Sequence, residues 1–290
     1  MKKQMVSGFL AGILALGLMT CGISAAAQEA ETEESADVET EEVEVTVFAA
    51  ASLTETLTEI SEMYQEEHPN VKLVFNFDSS GTLKTQIQEG AVCDLFISAG
   101  QKQMDQMDRS ADPEVNTEEL DLILEDSRVD ILENKVTLCV SEDSESGITS
   151  FDDLADALKE GSVLMAMGNS DVPVGQYTQK ILAYYELSEE ELASTGVISY
   201  GSNVKEVTTQ ILEGTVDCGV IYCTDAYSAG LNVTDYATPE MCGQVIYPAA
   251  VLKDSKCTEE AQAFLDFLQT DACMEVFEQV GFSPVLSTEE

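Results

Sequence analysis

The feature that most constrains the fold of this chain is a regular alternation of short β-rich runs with helical stretches. In the first half the β-rich runs are VEVTVFAA, VKLVFNF and CDLFISA. They are followed by predicted helices over 52–67, over 81–88 and from residue 101. Strands separated by helices of this length are typical of βαβ units. The sequence therefore predicts an α/β fold with a parallel sheet.

The second half repeats the alternation and then returns to an apolar run. Its β-rich runs are KVTLCV, SVLMAMG, GVISYG and CGVIY, with predicted helices over 151–159, 175–185 and 204–213. A late run, QVIYPAAVL, precedes two closing helices over 259–268 and 271–280. This order suits a chain that crosses twice between two lobes. The predicted limits are 43–133 plus 245–283 for the first lobe, 134–244 for the second and 284–290 for a C-terminal tail.

Four strand-to-helix turns carry residues typical of helix starts: Ser52-x-x-Glu55, Asn203-x-x-Glu206, DSSG at 78–81 and VPVG at 172–175. Ligands of open α/β sheets bind beyond the carboxyl ends of the strands, where helix N-termini gather. Each N-terminus presents unpaired backbone N–H groups, so several together can hold an anion with neutral donors. We expect Ser52 to accept from the Glu55 N–H and to donate its proton to a bound anion. On this turn alone, a plain helix cap is the simpler interpretation of Ser52.

The N-terminal residues are predicted to lie outside the folded part. Residues 1–27 combine two lysines, an apolar run and small residues at 25–27, which is typical of a secretory signal. Two processing routes stay open: cleavage before Gln28, or lipid attachment at Cys21 after a sequence similar to a lipoprotein box. Residues 28–44 hold nine acidic and no basic residues, which predicts a disordered spacer. We therefore expect an extracytoplasmic protein, either lipid-anchored at the cell surface or secreted into the periplasm or medium.

Composition and motifs exclude several classes of function. With 13 basic and 55 acidic residues, the net charge is −42, so nucleic acid is not expected as a partner. Eight cysteines without a CxxC pair, and a single histidine, match no zinc site. The sequence has no GxSxG elbow, no phosphate loop and no histidine near the serine turns. We expect a protein that is not an enzyme and has no cofactor.

Five segments, in this order, resemble the molybdate-binding proteins of bacterial ABC importers, the ModA family: VFAAASLTETLTEI, FDSSGTLKTQIQEGAVCDLFISAGQKQMD, VPVGQY, GVIYCTDA and YPAAVL. The resemblance covers nearly all of 43–283. It implies a type II periplasmic-binding-protein fold, in which two α/β lobes joined by a double crossover close on a tetrahedral oxyanion. It also implies a monomer that captures molybdate, with tungstate bound similarly, for a membrane permease and its ATPase.

The resemblance further implies which residues bind the oxyanion. Ser52 and Ser80 would donate from the first lobe. The backbone N–H groups of Val174 and Val204 and the phenol of Tyr222 would donate from the second. Molybdate would be held through its oxygen atoms only, with no protein ligand on the metal.

Three positions depart from the pattern of the family. Gly81 stands where a third serine is common, Val174 where alanine is usual, and Cys223 where glycine is usual. The first two changes keep their backbone donors, whereas a cysteine at 223 could narrow the edge of the pocket. Two other functions stay open: a tungstate-selective binding protein of an importer, and a structural or adhesion lipoprotein of the cell surface without anion transport.

Overall fold

The computed structural model describes residues 42–285. The predicted signal, most of the spacer, Cys21 and the end of the C-terminal tail lie outside the described residues. The strands are β1 (Val43–Ala50), β2 (Val71–Asp78), β3 (Leu95–Ile97), β4 (Val129–Asn134), β5 (Val136–Val140), β6 (Met165–Gly168), β7 (Ile198–Gly201), β8 (Cys218–Tyr222), β9 (Val233–Tyr236), β10 (Val245–Val251) and β11 (Ser283–Pro284).

The helices lie between these strands, as the alternation predicts. They are α1 (Thr54–Glu67), α2 (Ser80–Gln88), α3 (Gln101–Asp105), α4 (Phe151–Glu160), α5 (Pro173–Tyr184), α6 (Glu189–Thr195), α7 (Val204–Leu212), α8 (Cys223–Ala229), α9 (Pro239–Cys242), α10 (Thr258–Phe267) and α11 (Asp271–Gln279). None of the helices between residues 42 and 285 is long and apolar enough to cross a membrane.

The strands form two separate sheets. The first has the order β11-β4-β10-β3-β1-β2, and the second has the order β7-β6-β8-β5-β9. The chain passes from the first sheet to the second between Asn134 and Val136, and it returns between Tyr236 and Val245. Each sheet with the helices packed on it is one lobe, so the molecule has two α/β lobes and a double crossover. The residue limits predicted for the lobes stay a prediction.

Both sheets are mixed: the parallel pairs that the sequence predicts are present, together with antiparallel pairs. β1 pairs in parallel with β2 and β3, and β6 does so with β7 and β8. β10 is antiparallel to β3 and β4, and β5 is antiparallel to β8 and β9. The antiparallel strands are those next to the crossovers, where no βαβ connection forces the next strand to run in the same direction.

Capping side chains define where several helices start. At four helices the residue before the first turn accepts a backbone N–H through its side chain: Ser79 for α2, Ser150 for α4, Ser188 for α6 and Asn203 for α7. Helix α5 has Pro173 in its first position instead, where a missing N–H costs nothing. These starts position three helix N-termini, those of α2, α5 and α7, toward the space between the lobes.

The core of the first lobe covers both faces of its sheet. On one face α1 contributes Leu57, Ile60 and Tyr64, and the Tyr64 ring packs edge-on against Phe264 of α10. On the opposite face a second buried cluster contains Phe48 and, among others, Leu83, Phe96, Met104 and Met107. Because sheet and helices are packed on both sides, the loops at the carboxyl ends of the strands are held in place.

Candidate functional site

A small cavity lies where the ends of β1, β2 and β8 meet the N-termini of α2, α5 and α7. It is small, with about 10 Å³ of free space, which is about the room that one water molecule needs. All five predicted ligand residues line it: Ser52, Ser80, Val174, Val204 and Tyr222. The structure thus brings them together from both lobes, and their role in binding stays a prediction.

Ser52 is held differently from the expected capping box. Residues Ala51–Leu53 form a short 3-10 turn, and α1 begins after it with Leu53 at its N-cap and no side-chain cap. The predicted hydrogen bond from the Glu55 N–H to Ser52 is therefore wrong, because the extra turn moves Ser52 away from the cap position. Instead, Ser52 Oγ lies 2.9 Å from the hydroxyl of Tyr247.

In α2 the two serines divide two tasks. Ser79 is the cap, because its Oγ accepts the Thr82 N–H at 3.1 Å. Ser80, fully buried at the first helical position, accepts the N–H of Ala99 at 2.9 Å. A hydroxyl that accepts through oxygen keeps its own proton. Ser80 can therefore donate that proton to a group in the cavity.

The second lobe supplies backbone donors from two helix starts. Val174 follows Pro173 at the beginning of α5, and Val204 is the first residue of α7 after the cap Asn203. The first N–H groups of a helix have no partner within the helix and carry a partial positive charge. Both valine side chains are buried. These N–H groups are therefore suited to hold an anion without any charged side chain.

Tyr222 is a buried phenol at the end of β8. Its hydroxyl donates to the carbonyl of Ala99, in the other lobe, over a long distance of 3.4 Å. Burial raises the pKa of Tyr222 well above its usual value, so the phenol stays protonated. A donor held by so long a hydrogen bond can be turned to a ligand at little cost.

One charged residue, Asp78, lines the cavity, and three others, Lys205, Glu55 and Asp225, lie close to one another on neighbouring helices. Lys205 donates to the carboxylate of Glu55 in the first lobe at 2.7 Å, and its Nζ lies 3.2 Å from Asp225. Asp225 is fully buried, and neither of its oxygens has a partner in hydrogen-bond geometry. Desolvation raises the pKa of Asp225 to about 6, although Lys205 opposes this shift. Asp78, which lines the cavity, accepts the N–H of Ser79 at 2.7 Å.

Two residues that support the site were not predicted from the sequence. The hydroxyl of Tyr247 contacts Ser52 and lies 3.1 Å from the amide nitrogen of Asn134. The only signal was a tyrosine in an otherwise apolar run, since a buried tyrosine usually needs a hydrogen-bond partner. Its partners are 195 and 113 residues away in sequence, so no local pattern could identify them.

The structure shows the surroundings of two positions at which this sequence departs from the pattern of the ModA family, Gly81 and Cys223. A Cβ atom at Gly81 would lie 2.2 Å from the carbonyl oxygen of Asp171 in the other lobe, so only glycine fits this close approach. The thiol of Cys223 contacts Asn134 Oδ1 at 3.2 Å and the carbonyl of Gly281. Among residues 42–285, Cys223 does not belong to the cavity lining. The expected narrowing of the pocket edge by Cys223 is therefore not seen.

Two mixed α/β lobes that are joined by two crossovers, with helix N-termini gathered between them, are the type II periplasmic-binding-protein fold. The family of bacterial extracellular solute-binding proteins matches residues 45–283, and the chain belongs to this family. Proteins of this family bind solutes outside the cytoplasm and act in transport.

Named relatives agree with this assignment. The chain is 33% identical over 243 residues to YvgL of Bacillus subtilis, named as a substrate-binding lipoprotein of an ABC transporter, covering 83% of this chain and 86% of the relative. It is 29% identical over 244 residues to the molybdate-binding protein ModA of Haemophilus influenzae, covering 82% and 89%.

A solved structure with the same fold shows 33% identity and a TM-score of 0.60. It is described as the substrate-binding domain of a molybdenum ABC transporter from Clostridium difficile, and the match covers 84% of this chain and all of that one (100%). The predicted resemblance to the ModA family is thus confirmed.

Proposed function

We propose that this protein captures molybdate, and tungstate similarly, outside the cytoplasm for an ABC importer. The observation that carries the proposal is the convergence of neutral donors from both lobes on one small cavity. The net charge of −42 repels anions at long range, so an anion must be held by local donors. The relatives named as molybdate-binding proteins support the choice of ligand.

The donor set explains how such a site selects among tetrahedral anions. Hydroxyl and backbone N–H donors satisfy the oxygens of a fully ionised dianion. The S–O bonds of sulfate are shorter than the Mo–O bonds of molybdate, so hydrogen bonds from the same donors to sulfate would be stretched. A protonated phosphate carries a proton of its own, which a hydrogen-bond donor cannot accept. A polar group left without a hydrogen-bond partner in a closed site lowers affinity. We therefore expect molybdate and tungstate to bind much more tightly than sulfate or phosphate.

Calorimetric titration with these four anions tests the proposal. Tight binding of molybdate and tungstate with weak or no binding of sulfate and phosphate is the expected result. Tight sulfate binding without a molybdate signal rejects the proposal, and tight tungstate with weak molybdate indicates the tungstate-selective alternative. A ligand at 100 times its Kd should stabilise the folded protein by about 2.7 kcal/mol. Absence of any rise in melting temperature with all four anions favours a structural or adhesion lipoprotein.

The proposal includes how the captured ion is passed on. Binding between two lobes favours the closed form, and a permease with its ATPase would recognise that form of a monomeric binding protein. The oxyanion is cargo and not a cofactor. The proposed location is extracytoplasmic: at the cell surface through a lipid on Cys21, or secreted or periplasmic after cleavage before Gln28. Intact mass of membrane-extracted protein distinguishes a diacylglycerol-modified cysteine from a chain that starts at Gln28.

A further inference from the structure

Tyr247 lies behind the cavity at the junction of the two lobes. It is fully buried on β10, and its ring packs edge-on against Tyr222 at 5.9 Å and Phe282 at 5.2 Å between ring centres. Its hydroxyl lies 2.9 Å from Ser52 Oγ and 3.1 Å from the amide nitrogen of Asn134. Tyr247 thus connects a cavity hydroxyl to a buried amide. The direction of these hydrogen bonds decides what Ser52 can do.

The orientation of the Asn134 amide follows from its backbone neighbour. One side-chain atom of Asn134 lies 2.8 Å from the N–H of Lys135, which can only donate. That atom must therefore be the oxygen, and the same oxygen is 3.2 Å from the thiol of Cys223. The amide nitrogen consequently faces Thr224 Oγ1 at 3.0 Å and the hydroxyl of Tyr247. Both of these oxygens accept from Asn134.

The orientation of the Asn134 amide determines where the hydroxyl protons of Tyr247 and Ser52 are directed. The Tyr247 oxygen accepts from Asn134, so the phenol proton is directed to its other partner, Ser52 Oγ. Ser52 Oγ then accepts from Tyr247 and keeps its own proton for the cavity. Burial raises the pKa of Tyr247 well above its usual value, which keeps the phenol protonated as this order requires.

We propose that Tyr247 is a positioning residue that holds Ser52 as a donor and thereby makes the site discriminate against protonated oxyanions. The inference rests on the proposed function. Without the phenol, Ser52 Oγ would be free to accept, which would give the proton of hydrogen phosphate a further acceptor. The carboxylate of Asp78 also lines the cavity, and it is unchanged by this substitution. A difference between parent and variant therefore reports on Ser52.

The test compares the full chain with Tyr247→Phe. We expect molybdate to bind about three- to tenfold more weakly, as for loss of one directed neutral hydrogen bond. We expect phosphate to compete better, so that the ratio of phosphate Kd to molybdate Kd falls by at least the same factor. Calorimetric titration with molybdate, alone and with inorganic phosphate present, measures both. Tyr64→Phe is the matched control, since it removes a phenol from a buried ring in the first-lobe core, and it should leave both constants unchanged.

Equal weakening of molybdate and phosphate would overturn the inference, because it indicates a general loss of packing. Unchanged molybdate binding in Tyr247→Phe would also overturn the inference. The same holds if phosphate displaces molybdate from the variant no better than from the parent. Asn134→Ala is a second variant, because it leaves the phenol in place but frees it to accept from Ser52, and it should shift the ratio in the same direction. If the parent protein gives no molybdate signal, the proposed function fails. If the parent binds molybdate and both variants bind molybdate and phosphate as the parent does, only this inference fails.

Discussion

Neutral side chains in the cavity are oriented so that their hydroxyl protons can be donated to a bound anion. Ser80 accepts the Ala99 N–H, which leaves its own proton free, and Tyr222 is bound only by a long contact to the Ala99 carbonyl. Both are buried, so a hydrogen bond to an anion there is not weakened by competing water. The affinity of the site should therefore depend on individual hydroxyl groups.

Tyr222→Phe should leave the melting temperature of the ligand-free protein nearly unchanged, because the 3.4 Å hydrogen bond it removes is long. Molybdate binding should weaken about tenfold to hundredfold, since a hydrogen bond to a charged group contributes about 1.5–3 kcal/mol. Calorimetry and thermal melting measure the two effects. Tyr177→Phe is a suitable control, because its ring lies edge-on to Tyr222 with centres 6.4 Å apart. Parental molybdate affinity in Tyr222→Phe would show that this phenol does not bind the ion.

The N-terminal ends of the helices determine where the backbone N–H donors of the site lie. Asn203 accepts the Glu206 N–H at 3.0 Å, and this bond fixes the first turn of α7 and with it the N–H of Val204. The same side chain lies 3.4 Å from Asp78 Oδ1 in the first lobe. One cap therefore both starts a helix and orients a proposed ligand donor.

Asn203→Ala should destabilise the fold by about 1 kcal/mol, as for loss of a helix cap, and should also weaken molybdate binding because the α7 start becomes mobile. Ser188→Ala removes an equivalent cap from α6, where Ser188 accepts the Glu191 N–H. It should cost similar stability without changing affinity, since α6 does not reach the cavity lining. Chemical denaturation and calorimetry on both variants separate the two effects. An equal loss of affinity in both would refute a specific role for the α7 start.

Contacts between the lobes act at the scale of the whole molecule. The Lys205–Glu55 ion pair joins α7 of the second lobe to α1 of the first, and Gly81 allows α2 to touch the carbonyl of Asp171. The side chains of Lys205 and Glu55 are 32% and 50% exposed, so this pair contributes at most about 1 kcal/mol. It is nevertheless a contact between the two lobes, so moving the lobes apart would break it.

Glu55→Gln should therefore raise the Kd for molybdate about two- to fivefold at low ionic strength, because the closed form loses one ion pair. High salt should remove most of the difference between variant and parent, since it screens exposed charges. Asp121→Asn is the control: it breaks a similarly exposed pair with Lys253 inside the first lobe and should leave Kd unchanged. A salt-independent difference, or none at low salt, would argue against this contribution to closure.

Sequence and structure agree best where the signal is local. The alternation predicted nearly every long helix, and Asn203 caps α7 as its sequence pattern indicates. The cap assigned to Ser52 is wrong, because a 3-10 turn and the distant hydroxyl of Tyr247 decide its position. A local pattern cannot report a partner that is brought close only by folding.

The sequence by itself determined the α/β class, several helix starts such as that of α7 and, through its motifs, the family of the protein, since these depend on periodicity and on neighbouring residues. Only the tertiary structure decided the antiparallel strands at the crossovers, the approach of Gly81 to Asp171 and the hydrogen-bond direction from Asn134 through Tyr247 to Ser52. Each of these joins residues far apart along the chain. Such an interaction stabilises the protein only after folding has brought its two partners together, so no local pattern in the sequence can report it.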